Sequence, residues 1–137
     1  MPDEMTRKKL VLEYHRRLNS ADIDGICQMF AADAVFEDPV GLTDHEHPAV
    51  GHAAVREHLT RVINDYECHN VPGTASASLD AHYLALPIAA TVRLPESAPD
   101  SRMVINCVQL FRFGDDDLIK EVKCFWGLTD VTPATDE

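Results

Sequence analysis

The first half of the chain carries apolar residues at helical spacing. Leu10, Val11, Tyr14 and Leu18 form one stripe, with Arg7, Lys8, Lys9, Arg16 and Arg17 largely around it. This predicts a helix over Thr6 to Asn19. Asp22 suits an N-cap, and Ile23, Ile26, Cys27 and Phe30 behind it predict a second, short helix. An apolar run from Ala34 to Asp38 reads as a short strand, and the polar stretch 42–50 with Pro48 as a loop. His52 to Asn64 is a third helix, with Val55, Leu59, Val62 and Ile63 on one side.

Beyond Asn64 the pattern changes to that of strands. Tyr66 to Val71, Thr74 to Asp80, His82 to Leu94, Arg102 to Phe113 and Leu118 to Trp126 are the candidates. Pro95 to Ser101 reads as a loop, and Gly114 to Asp117 as a hairpin connection. Pro87 suggests a bulge or kink in its strand. Helices followed by consecutive strands indicate an α+β fold with an antiparallel sheet. Long strands joined by short turns should curl around the three helices into a cone with an apolar interior, where a small ligand would bind. Residues 1–131 form one domain on this reading, and 132–137 a disordered tail.

Composition narrows the roles. The chain has 137 residues and a formal net charge of -11. Such a surface repels nucleic acid and anionic membranes, so neither is an expected partner. The N-terminal stretch has no long apolar run before charges return, so no signal peptide or membrane span is expected. Cys27, Cys68, Cys107 and Cys124 show no CxxC and no zinc-like spacing, which fits free thiols in a reducing cytoplasm.

The chemistry concentrates in Val35-Phe36-Glu37-Asp38-Pro39-Val40-Gly41. Pro39 pushes Asp38 towards extended geometry, and Gly41 permits a tight turn. Glu37 and Asp38 point to opposite faces of a strand, so one faces the interior; the two apolar residues before them do not decide which. A carboxylate facing an apolar cone is desolvated and becomes a usable base near neutral pH. The plainer alternative is a turn acid before proline with no chemistry.

The run from Asn19 to Gly41, Tyr14, Gly51 to Leu59, Leu110 to Phe113 and Leu118 to Gly127 together resemble the ketosteroid isomerase-like (SnoaL-like) branch of the NTF2-like superfamily. The resemblance implies the cone-shaped fold, often dimerised through its outer sheet face. It implies that Asp38 shuttles a proton and that Tyr14 lines the pocket. The residue matching the isomerases' oxyanion-hole acid is Gln109, an amide donor rather than a carboxylic acid. Two stretches, Arg7 to Asn19 and Phe125 to Thr132, look like the epoxide hydrolase/cyclases of polyether polyketide biosynthesis. Those enzymes open an epoxide with the substrate's own hydroxyl and need no metal or organic cofactor. They add a second acid on the strand after the third helix, for which Asp65, Glu67 and His69 are the candidates, Glu67 slightly preferred.

The expected function is therefore epoxide-opening cyclisation of an apolar polyketide, with Asp38 as base. Ketosteroid isomerase-type proton transfer and a non-catalytic binding or dimerisation module are the alternatives. Gln109 and Phe111 share one face of their strand, while Trp126 alternates with Val122 and Cys124 on another. These four non-cysteine positions are candidate substrate contacts, with Trp126 equally suited to a dimer face. His45 and His47 form an HxH in an acidic loop. It is a weak zinc site without a third ligand, and better suited to a lid over the cone mouth.

Overall fold

The computed structural model describes residues 3–43, 47–93 and 101–134. The chain begins with α1 (Glu4–Asn19) and α2 (Ile23–Cys27), followed by β1 (Phe30–Glu37), β2 (Ala49–Val50) and α3 (His52–Asn64). Strands β3 (His69–Pro72), β4 (Ser76–Ala77), β5 (Tyr83–Val92), β6 (Met103–Phe113) and β7 (Ile119–Phe125) come next, then a 3₁₀ turn (Leu128–Asp130) and β8 (Val131–Pro133). The helices start where their caps dictate. Asp3 accepts from the Met5 amide at 3.0 Å to begin α1, and Asp22 accepts from the Gly25 amide at 3.0 Å to begin α2.

The strands run in the order β2-β1-β7-β6-β5-β3, with β4 also on β5 and β8 also on β6. Strands β5 and β6 pair continuously from Tyr83↔Arg112 to Val92↔Met103. One edge of β6 carries β7 and then β8, and the far edge of β5 carries β3 and then β4. The result is a curved, unclosed sheet against the helices. Its core includes Val11, Leu18, Ile26, Phe36, Leu59, Leu86, Phe111 and Ile119, all buried. Phe111 and Val122 belong to this core, with no exposed surface.

Several elements differ from the sequence reading. The sheet is mixed, because β1 runs parallel to β7. Only strands linked by tight turns are forced antiparallel, and most of the chain separates these two. Pro87 makes no bulge, since its pairing with Val108 stays in register. Its carbonyl accepts from the Gly73 amide, so its missing N–H points to the gap where β3 has ended and β4 has not begun. The expected strand 74–80 shrinks to Ser76–Ala77, because Ser78 to Ala81 turn back on themselves. The tail is not wholly loose: Thr132 and Pro133 pair with Val104 and Met103. Arg7, expected among the polar surroundings of α1, is completely buried. It donates to the Ala81 carbonyl at 2.8 Å and the Gly114 carbonyl at 2.7 Å, tying α1 to the β6–β7 hairpin.

Candidate functional site

The helices and the concave side of the sheet enclose a cavity of about 470 Å³. That is a volume suited to a small organic molecule. Its walls are mainly apolar: Leu18 and Leu59 come from the helices, Ile88, Ala90 and Ile105 from the sheet. Asp38 and Glu37 separate as alternation requires. Asp38 lines the cavity, while Glu37 reaches back towards the Gly41 amide at 3.5 Å. Gly41 has φ +98°, which makes the turn behind the acid a glycine position. The Val40 amide donates to the Cys124 carbonyl at 2.9 Å, so the turn is pinned to β7.

Pinning β1 and β7 together brings Trp126 over Asp38. The Trp126 indole N–H donates to Asp38 Oδ1 at 2.7 Å, and its ring forms part of the cavity wall. Burial pushes the Asp38 carboxyl above its ordinary value, and bonds from Trp126 and Cys124 and the nearness of His47 partly oppose this. The site thus favours a carboxylate that keeps appetite for a proton while remaining oriented.

Tyr14 also lines the cavity. It packs edge-on against Phe111, with ring centroids 5.5 Å apart. Burial, with Cys124 and Asp38 nearby, raises its phenol well above the usual range, so it stays a hydrogen-bond donor. Gln109 lies on the cavity wall and donates to Cys124 Sγ at 3.3 Å. Phe111 and Val122, expected to touch substrate, sit behind that wall rather than in it.

The expected second acids stand elsewhere. Glu67 is exposed, adopts φ +47° and is ion-paired with Arg93, whose guanidinium holds the carboxyl below its usual range. His69 is exposed on β3, and Asp65 is the exposed C-cap residue of α3. Alternation holds through this stretch, but the face that carries Glu67 and His69 is the one turned to solvent. Tyr66, Cys68 and Asn70 face the cavity instead. Among the described residues that line it, Asp38 is the sole carboxylate.

Two histidines that meet at the cavity were not paired by the sequence reading. His58 of α3 lies against Phe36, with ring centroids 4.8 Å apart, and meets the His47 ring edge to face at 5.9 Å. Both line the cavity. The signal for His58 was present in its spacing, three residues after Val55 and beside Leu59 on the apolar face. His47 of the HxH reaches the cavity, whereas His45 lies outside the described residues. Behind Gln109, Asn70 Nδ2 lies 3.1 Å from His15 Nδ1, and Cys68 donates to Asn70 Oδ1 at 3.1 Å.

These features match a known class. A sequence model of the SnoaL-like domain covers residues 11–122, and the chain belongs to that family. It is 36% identical, over 141 residues and its full length, to the epoxide hydrolase LasB of Streptomyces lasalocidi. The chain spans about half the length of that curated relative, 48%. The structure of SalBIII, an epoxide hydrolase/cyclase-like enzyme with a role in pyran ring formation in polyether salinomycin, superposes with a TM-score of 0.89. That match has 34% identity and covers 98% of this chain and all of the other. RV0760c of Mycobacterium tuberculosis, solved with estradiol-17beta-hemisuccinate, shares the fold at a TM-score of 0.79 and 18% identity, over 92% of this chain and 98% of that one. Among the described residues no helix is long and apolar enough to cross a membrane.

Proposed function

We propose that this protein is a general acid/base enzyme of polyether biosynthesis that opens an epoxide with a hydroxyl of the same apolar polyketide, closing a cyclic ether. The observation that carries this reading is the Asp38 carboxylate, raised in basicity by burial and oriented by Trp126 inside an apolar cavity. Similarity to LasB and SalBIII supports the epoxide as the reacting group. In the proposed step Asp38 takes the hydroxyl proton as that oxygen attacks an epoxide carbon. The new C–O bond forms, the epoxide C–O bond breaks, and the released oxygen collects a proton. The cavity's contribution is to hold chain and epoxide in a cyclising conformation away from competing water. Tyr14, as a permanent donor, positions a substrate oxygen. The isomerase alternative has less support, since Gln109 brings an amide where that chemistry uses a protonated acid.

The test uses a γ,δ-epoxy alcohol with a long alkyl chain, followed by chromatography for the cyclic ether. Asp38→Asn should keep the fold and lower turnover by about 10²–10⁴-fold, the contribution of a well-placed base. Wild-type turnover in that variant overturns the reading. We also propose a homodimer. Val108 is paired between Pro87 and Phe125 across the outer sheet face, near Val71, and Val71, Val108 and Phe125 are exposed. An apolar patch of this kind supports self-association.

A further inference from the structure

Two side chains of opposite charge line the cavity. Asp38 is the sole carboxylate among its described lining residues, and Arg61 the sole lysine or arginine. Arg61 belongs to the inward face of α3, three residues after His58 and one before Val62, which also line the cavity. Its side chain is 32% exposed, and the lining residues Leu42 and Tyr66 are exposed as well, whereas Tyr14, Leu59 and Gln109 are buried. The guanidinium therefore marks the open end of the cavity, and those three the floor.

Local roles account for only part of Arg61. It sits in the last turn of α3, where a cation complements the helix dipole, and the Glu57 carboxylate lies 3.7 Å away. That distance is beyond hydrogen bonding and Glu57 is 73% exposed, so the pair is weak. Neither role requires the side chain to line a cavity. A guanidinium has five N–H donors in a planar fork, so a surface partner does not exhaust it. Its charge is felt on the cavity wall: burial first, then His47 and Arg61, lowers the His58 imidazole to about 4. Asp38 answers instead to burial, Trp126, His47 and Cys124, so Arg61 is not that acid's counter-ion.

We propose that Arg61 determines specificity at the cavity mouth, and that the substrate is an apolar chain ending in a carboxylate, which pairs with this guanidinium while the epoxide lies inward at Asp38. This rests on the cyclase reading above. A forked guanidinium–carboxylate pair fixes direction as well as affinity. The reverse orientation would bring the substrate's carboxylate beside the Asp38 carboxylate, where like charges repel. The pairing also selects the form of the substrate. The neutral carbonyl of an ester or thioester forms no ion pair with the cation, so the free acid is preferred.

The epoxy alcohol is prepared with a carboxylate at the far end of its alkyl chain and, separately, as the methyl ester. The cyclic-ether product of each serves as a non-reacting ligand. Trp126 is the chain's single tryptophan and lines the cavity, so its fluorescence reads occupancy independently of turnover. At low salt wild type should bind the acid about tenfold tighter than the ester, the worth of a charge-assisted bond at a half-exposed site. The KM values of the two epoxides should show the same split, with similar kcat. Arg61→Gln should remove the preference, because the net charge of -11 and Asp38 then act on the acid unopposed. Arg61→Lys, which keeps the charge but not the fork, should retain part of it. In wild type the preference should also shrink in about 0.5 M salt, a readout that needs no variant. Equal binding of acid and ester by wild type overturns the proposal, as does a preference that survives in Arg61→Gln. A purely helix-stabilising Arg61 would lower Tm and affect acid and ester alike, and that result overturns it too. Because binding needs no turnover, the two levels separate. Acid selectivity without cyclisation of either epoxide removes the cyclase reading, whereas cyclisation of both without selectivity removes only the role of Arg61.

Discussion

Trp126→Phe isolates what holds the catalytic carboxylate. Phenylalanine keeps an aromatic wall in the cavity and removes only the indole N–H that reaches Asp38 Oδ1 at 2.7 Å. That bond stabilises the ionised form, because the acceptor is charged. Burial already pushes the Asp38 carboxyl up, and Trp126 is the largest of the influences pulling it back. Removing the donor therefore raises the carboxyl further. A hydrogen bond to a charged group is worth roughly 1.5–3 kcal/mol, which is about a 10–100-fold change in the ionised fraction. The assay is the pH–rate profile of epoxy alcohol cyclisation. On its acid limb the variant should be about 10–100-fold slower than wild type, and the two curves should converge at higher pH, where both carboxyls are ionised. Circular dichroism checks the fold, since the variant has lost its only tryptophan. Superimposed profiles, or a limb displaced towards acid, would show that the indole does not control the protonation of Asp38.

Asp38→Asn should also be more thermostable than wild type at neutral pH. The folded carboxyl is raised, so the unfolded chain releases its proton first as pH rises, and wild-type stability falls through that window. Calorimetry should show a higher Tm for the variant at pH 7, with the gap closing below about pH 4. Equal Tm differences at both pH values would contradict the assignment. Phe125→Lys places a charge in the exposed apolar patch of the outer sheet face. Light scattering should then give a single 15.2 kDa chain where the proposed wild-type dimer should give twice that mass; an unchanged dimer would exclude this face.

Much of the architecture was written in local pattern. α3 runs from His52 to Asn64 as its apolar spacing predicts, and Asp22 caps α2. Alternation along β6 correctly put Cys107, Gln109, Phe111 and Phe113 on the buried face. The proline and glycine around Asp38 likewise predicted an extended strand end and a tight turn, but left open which of Glu37 and Asp38 faces the interior; in the structure it is Asp38. Depth along a shared face was not legible. Gln109 and Phe111 point the same way, yet one meets the cavity and the other the underside of Tyr14.

What the sequence determined by itself was therefore periodicity, caps and turns, because these depend on neighbours a few residues away. The parallel β1–β7 pairing, the contact of Trp126 with Asp38 and the meeting of His47 with His58 came only from tertiary structure. Each joins segments whose separation along the chain carries no record of their proximity. Around β3 alternation groups Glu67 with His69, but packing alone set which face turns inward, and Tyr66, Cys68 and Asn70 line the cavity.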